Sequence, residues 1–236
     1  LSESVLRRTP DHLGLAESVA GGFTQYAYAF VDAEAERLET RDSRAAQRIH
    51  ERAARLYERA RRHALRALEL NSPAVVAALA APALPPGVLL APEQVGVAYW
   101  AAAAWGAQIA LSKDRPEVVA DLTQVIRLAT LAWQARPGHG DGALASLMGT
   151  LEMARPGGSR PQAQAYFARA EALGAGRNAG VFVAQAEALA QPAGDRAGFE
   201  TLLRQAVTTA EAHRHLGNEV MRERAIWLLA TADDRF

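Results

Sequence analysis

Apolar residues recur along this chain at helical spacing, and no stretch alternates with a period of two. A first long helix is predicted from Asp11, placed to cap it, to about Glu39, with Leu15, Val19, Phe23, Tyr26, Phe30 and Leu38 on its apolar side. A second follows an Asp42-Ser43 cap and reaches Leu70. Its apolar face is Ile49, Ala53, Leu56, Ala60, Ala64, Ala67 and Leu68, and its opposite face is laced with Arg and Glu. Asn71 to Pro92 holds five of the eleven prolines. It is expected to be one short helix and an irregular crossing loop, a break between two helical layers within a single domain.

Beyond Pro92 the pattern predicts a helix from Glu93 to about Ser112, uncharged after Glu93 and therefore central. Lys113-Asp114-Arg115-Pro116 ends it and opens a helix reaching Ala135. Pro137-Gly138-His139-Gly140 reads as a turn, with Asp141 capping a helix that ends at Arg155. Pro156-Gly157-Gly158-Ser159 breaks the chain again, and helices follow at 161–173, 179–190, 195–213 and 217–232. The fold class is all-α. The opening residues Leu1 to Arg8 read as the last turns of a helix closed by Thr9-Pro10, which implies a preceding segment able to hold a targeting signal.

Helix, short turn and helix in succession hint at a repeat. Tetratricopeptide units run to ~34 residues and pair a small residue with an aromatic one four positions on. Ala53 and Tyr57 with Ala60, and Ala163 and Phe167 with Ala170, fit that pairing. A stack of degenerate helical hairpins over residues 1–236 is therefore expected, sharing one core and leaving a concave face or channel for ligands.

Composition narrows the function. Alanine supplies much of the apolar half of the chain, beside Leu, Arg, Glu and Gln, all good helix formers. Lys+Arg and Asp+Glu both number 26, so there is no basic excess of the kind that drives nucleic-acid binding. The absence of cysteine removes thiol chemistry, disulfides and Cys-based metal sites. No apolar run approaches the ~20 residues of a bilayer span; the run from Val95 to Leu111 reads as a buried helix. There is no G-x-S-x-G elbow, no H-E-x-x-H and no P-loop, so an enzyme is not expected, nor a cofactor.

Candidate binding residues each carry two readings. Tyr26 and Phe30 can share a helix face, whereas Tyr26 and Tyr28 cannot; these rings are either core or directed at a polar cavity or an interface. Tyr99, Trp100 and Trp105 are either core or cavity lining. Lys113, Glu152 and Arg155 are either solvated helix-end charges or, for the two cations, partners of a solute carboxylate, which Arg grips bidentately. Asp141 is read first as a cap. His139 and Asp141 lack a third ligand nearby in sequence, and His213 and His215 read as surface residues, so no metal site is expected.

Three strings go beyond generic helix packing. They are Gly22-Phe-Thr-Gln-Tyr26-Ala-Tyr28-Ala-Phe30-Val-Asp32-Ala-Glu34; Tyr99-Trp100 through Trp105-Gly106 to Ile109 and Ser112-Lys113-Asp114; and Gly138-His-Gly-Asp141-Gly142 followed by Glu152-Met-Ala-Arg155-Pro156-Gly157-Gly158. Their order and spacing resemble the T-component (TatT) family associated with TRAP transporters. The likeness continues through Tyr166-Phe167, Ala186-Glu187 and Trp227-Leu228-Leu229, covering nearly the whole chain. What the resemblance implies is a periplasmic, often lipid-anchored protein related to tetratricopeptide repeats. It would associate with the solute-binding protein of the transporter, assemble as a homotrimer, and help pass a small hydrophobic or carboxylate-type solute toward the permease. The chain departs from the family in lacking the lipoprotein cysteine and in its Pro-rich Asn71–Pro92 loop. The rival expectation is a general repeat scaffold that docks other proteins and has no transport role.

Overall fold

A computed structural model describes residues 2–236, and every regular element among them is helical. The chain divides into two compact units, Leu1–Arg136 and Pro137–Phe236. The Asn71–Pro92 segment lies within the first.

In the first unit, α1 (Ser2–Leu6) leads to α2 (Leu13–Tyr26), a π-helical turn (Ala27–Asp32) and α3 (Ala33–Leu38), which run on as one helix. The long α4 (Ser43–Asn71) packs against all three and against α6 (Val95–Ala110). Its apolar stripe is mostly alanine, with Ala53, Ala60, Ala64 and Ala67 sealed from solvent beside Tyr57 and Leu68. Small side chains on one face let neighbouring helices approach closely without strain, while the Arg and Glu of the other face stay in water. By contrast α6 is apolar all round, and such a helix is driven to the centre of its unit: Val95, Val97, Ala98, Ala101, Ala102 and Ala104 are fully buried.

Two glycines lie where α2 and α6 approach each other. A Cβ on Gly21 would lie 2.9 Å from the Trp100 ring, and one on Gly96 would lie 2.2 Å from the Glu17 carboxylate. At Gly21 the ring or the helix would have to move, whereas the Glu17 carboxylate, at the end of a flexible side chain, can swing clear of Gly96.

Asn71–Pro92 is the predicted short helix and loop. It contains α5 (Pro73–Leu79), and α7 (Pro116–Val119) and α8 (Leu122–Ala135) complete the unit. The loop is tied by side chains in place of backbone ladders: Gln94 Nε2 donates to Ser72 Oγ at 2.7 Å, and Asn71 Nδ2 donates to the carbonyls of Asp11 and Ala67 at 2.8 and 2.9 Å.

The second unit is made of α9 (Ala143–Ala154), α10 (Arg160–Leu173), α11 (Ala179–Gln185) with a second π turn (Ala186–Ala190), α12 (Arg196–Ala212) and α13 (Leu216–Ala230). Consecutive elements pair, α9 with α10 and α12 with α13. Phe182, Val183, Phe199, Leu203, Ala206, Ala225 and Leu228 form the core of its second half. In the first half, Phe167 is fully buried and fills the space over Gly149, whose hypothetical Cβ would stand 2.8 Å from the ring.

Several boundaries differ from expectation for local reasons. The cap of α2 is His12, not Asp11: His12 Nδ1 accepts from the Leu15 N–H at 3.1 Å, which is the reach an N-cap side chain needs. The helix expected after Pro116 is interrupted at Ala120–Asp121. Asp141 does not cap α9. It is exposed with φ 49°, and the N-cap is Gly142 at φ 92°, a left-handed conformation that favours glycine. Asp42, Ser159 and Asp195 do cap their helices, accepting from the N–H groups of Ala45, Gln162 and Gly198.

Candidate functional site

The π turn is where the first unit departs most from ordinary helix geometry. It widens the helix between Ala27 and Asp32, and such single-turn insertions are frequent at functional sites. At its end Asp32 is aimed at α4: Oδ1 stands 3.0 Å from His50 Nδ1, and Oδ2 accepts from the Tyr57 hydroxyl at 3.4 Å. On its inner side Ala27 and Val31 pack with Ala53 and Tyr57, and Tyr28 lies against that cluster, half-buried.

The outer side carries Tyr26 and Phe30, 45% and 60% exposed, with ring centroids 5.6 Å apart. Two neighbouring aromatic rings left in water forgo apolar burial that each could gain against a partner. The sequence spacing correctly pairs these two rings and separates Tyr28 from Tyr26.

A second aromatic group sits on α6. Tyr99 and Trp100 meet edge to face at 4.9 Å, and both are half-buried. Desolvation pushes the Tyr99 hydroxyl up to about 12, so it is neutral at any physiological pH. Trp105 is buried and fully engaged. Its Nε1 donates to Asp121 Oδ2 at 3.2 Å, and the Arg61 guanidinium lies over its ring at 4.8 Å. Arg61 also meets Asp121 at 3.5 Å. Burial pulls the Arg61 pKa down, and the Asp121 charge opposes that shift. Lys113 is exposed in the turn after α6.

The remaining candidates belong to the second unit. Glu152 and Arg155 form a bidentate pair at 2.6 and 2.7 Å, and Glu152 Oε1 also accepts the Ser159 N–H at 2.8 Å. The Arg155 charge, with help from that N–H, holds the Glu152 carboxyl below the usual range. This pair braces the turn between α9 and α10.

Asp32, His50, Arg61 and Asp121 escaped the sequence reading as candidate residues. Their signal is a partner far along the chain, which local spacing does not carry.

The family described as TRAP transporter T-component matches residues 1–236, the entire chain. The chain belongs to that family. It is a T component, an accessory of TRAP transport, as the three strings had indicated. An uncharacterized protein of Treponema pallidum (strain Nichols) is similar to it, 27% identical over 256 residues, a match that takes in 99% of this chain and 76% of that protein. No helix of this T component, among the described residues, is long and apolar enough to cross a membrane.

Proposed function

We propose that this T component docks on the periplasmic solute-binding protein of a TRAP transporter through the face bearing Tyr26 and Phe30. The observation that carries the proposal is the pair of exposed, adjacent rings on a helix whose inner side is committed to the core. Tyrosine is among the residues that most often dominate binding energy at protein interfaces. The membership of the whole chain in a transport-accessory family supplies the partner class.

In this reading the protein works by binding and not by catalysis, on the periplasmic side, held to the membrane by a lipid anchor, and as a homotrimer. It helps hand on a small hydrophobic or carboxylate-bearing solute, with Tyr28, Tyr99 and Trp100 as its aromatic contacts.

Light scattering of the chain, alone and mixed with the solute-binding protein encoded beside the transporter's permease, tests this. A trimer whose mass rises on mixing is the expected result. The double substitution Tyr26→Ser and Phe30→Ser should weaken the complex by about tenfold or more while leaving the melting temperature in place, because both rings are exposed. A monomer would overturn the trimer, and failure to form any complex would overturn the docking role.

A further inference from the structure

A cleft of about 300 Å³ opens in the first unit between α4 and the end of α6, and none of the aromatic residues discussed above lines it. Its walls are polar. Glu51, Arg55 and Glu58 come from one stripe of α4, and Asp114 and Arg115 from the turn that follows α6. The decisive residue is Gln108, which lines the same cleft from the last turn of α6. It is only 5% exposed, and its Oε1 is buried without a hydrogen-bond partner. A buried amide oxygen with nothing to accept is costly to leave so, and it calls for a donor supplied from the cleft.

Charge refines the class of donor. Three carboxylates against two guanidiniums leave the lining one net negative charge. The C-terminal end of α6 adds the negative pole of the helix to the same place. Both favour a donor that is also a cation. The two arginines in the same walls suit a carboxylate on the same molecule. A volume at the low end of ligand pockets limits that molecule to a small one.

We propose that the cleft binds a small zwitterion of the amino-acid class, its ammonium group donating to Gln108 Oε1 and its carboxylate held by Arg55 or Arg115. The site is independent of the docking face, since it shares no residue with it.

Titration calorimetry on the full chain with each standard amino acid, and with glycine betaine and a simple alkylamine as controls, is the test. Saturable binding of at least one amino acid is expected, with betaine, which has no N–H, bound at least about tenfold more weakly than glycine or its nearest binding homologue. Gln108→Leu should lose about tenfold or more in affinity while melting no lower than the native chain, because it removes the unpaired oxygen; Gln108→Met serves should the leucine variant misfold. Arg115→Gln combined with Arg55→Gln should weaken the amino acid but not the alkylamine. The proposal is overturned by the absence of binding to every amino acid, by betaine binding as tightly as the primary amines, or by full affinity in the Gln108 variants. None of these outcomes bears on the complex with the solute-binding protein.

Discussion

Gly142 runs its backbone against Ala170: a Cβ at Gly142 would stand 2.2 Å from the Ala170 carbonyl oxygen. Gly142 also has φ 92°. Two independent penalties therefore fall on any side chain there, one from backbone conformation and one from collision with a neighbouring helix. Gly142→Ala is expected to cost about 3 kcal/mol of unfolding free energy. Gly157, at φ 70° with nothing within 4 Å of its hypothetical Cβ, isolates the first penalty. Gly157→Ala should cost only about 1 kcal/mol. Urea unfolding of both variants beside the native chain measures the difference; equal losses would show that the contact with Ala170 is of no consequence.

Asn218 joins the start of α11 to the start of α13 and is 1% exposed. Its Oδ1 accepts the Ala179 N–H at 3.0 Å, and its Nδ2 donates to the carbonyls of Arg177 and His213 at 2.9 and 2.7 Å. Truncation would leave the buried Ala179 N–H and two partly buried carbonyls unpaired, so Asn218→Ala should destabilise the protein by about 2 kcal/mol. Asn218→Asp keeps the acceptor but loses both donors, and it should be no better tolerated. Hydrogen exchange at the Ala179 amide gives the local readout: it should quicken markedly in either variant, and unchanged protection would refute the bridging role.

The elements were legible wherever period and cap chemistry agreed. Alanine and leucine at helical spacing marked α4, the uncharged run after Glu93 marked α6, and Asp42 announced its helix correctly. What local rules missed was decided across the fold. Asp141 looks like a cap in sequence, yet the close approach of Ala170 to its neighbour fixes a left-handed turn there. The π turn is invisible because one widened turn barely disturbs the apolar pattern. The cleft was hidden for a different reason: Glu51, Arg55 and Glu58 are indistinguishable in sequence from an ordinary solvated face. Its one advance sign is Gln108, an amide inside the apolar run from Val95 to Leu111. The paired rings of Tyr26 and Phe30, by contrast, followed directly from a spacing of four.

Arg127 holds the Pro-rich segment in place. From α8 it reaches the carbonyls of Leu79 at 2.8 Å and Pro82 at 3.0 Å, and it contacts that of Ala81 as well. These oxygens lie at and beyond the end of α5, where a helix has no partners of its own to offer. Hydrogen bonds to a charged donor are each worth about 1.5–3 kcal/mol. Removing this donor should therefore loosen residues 80–91 more than the protein as a whole. Arg127→Met is expected to make that loop cleavable by a broad-specificity protease under conditions where the native chain resists. Cleavage elsewhere first, or none, would mean that the Gln94–Ser72 and Asn71 bonds suffice.

Glu3 anchors α1 to α4. It accepts from Arg59 through two nitrogens, one at 2.8 Å, and stands 2.8 Å from His63 Nε2, while Arg59 and His63 both lie against the Phe23 ring. Arg59 above all lowers the Glu3 pKa from 4.5 to about 2, against the opposing effect of burial and with further help from His63. An unfolded chain would bind the proton more readily than the folded one across that interval. The stabilising contribution is therefore complete above the unfolded value and disappears as pH falls through the folded one. Glu3→Gln should be less stable than the native chain at neutral pH, and the gap should close between about pH 5 and pH 2. Urea unfolding of the two proteins at stepped pH reads this directly. Parallel curves across the interval would show that the carboxylate contributes nothing through its charge.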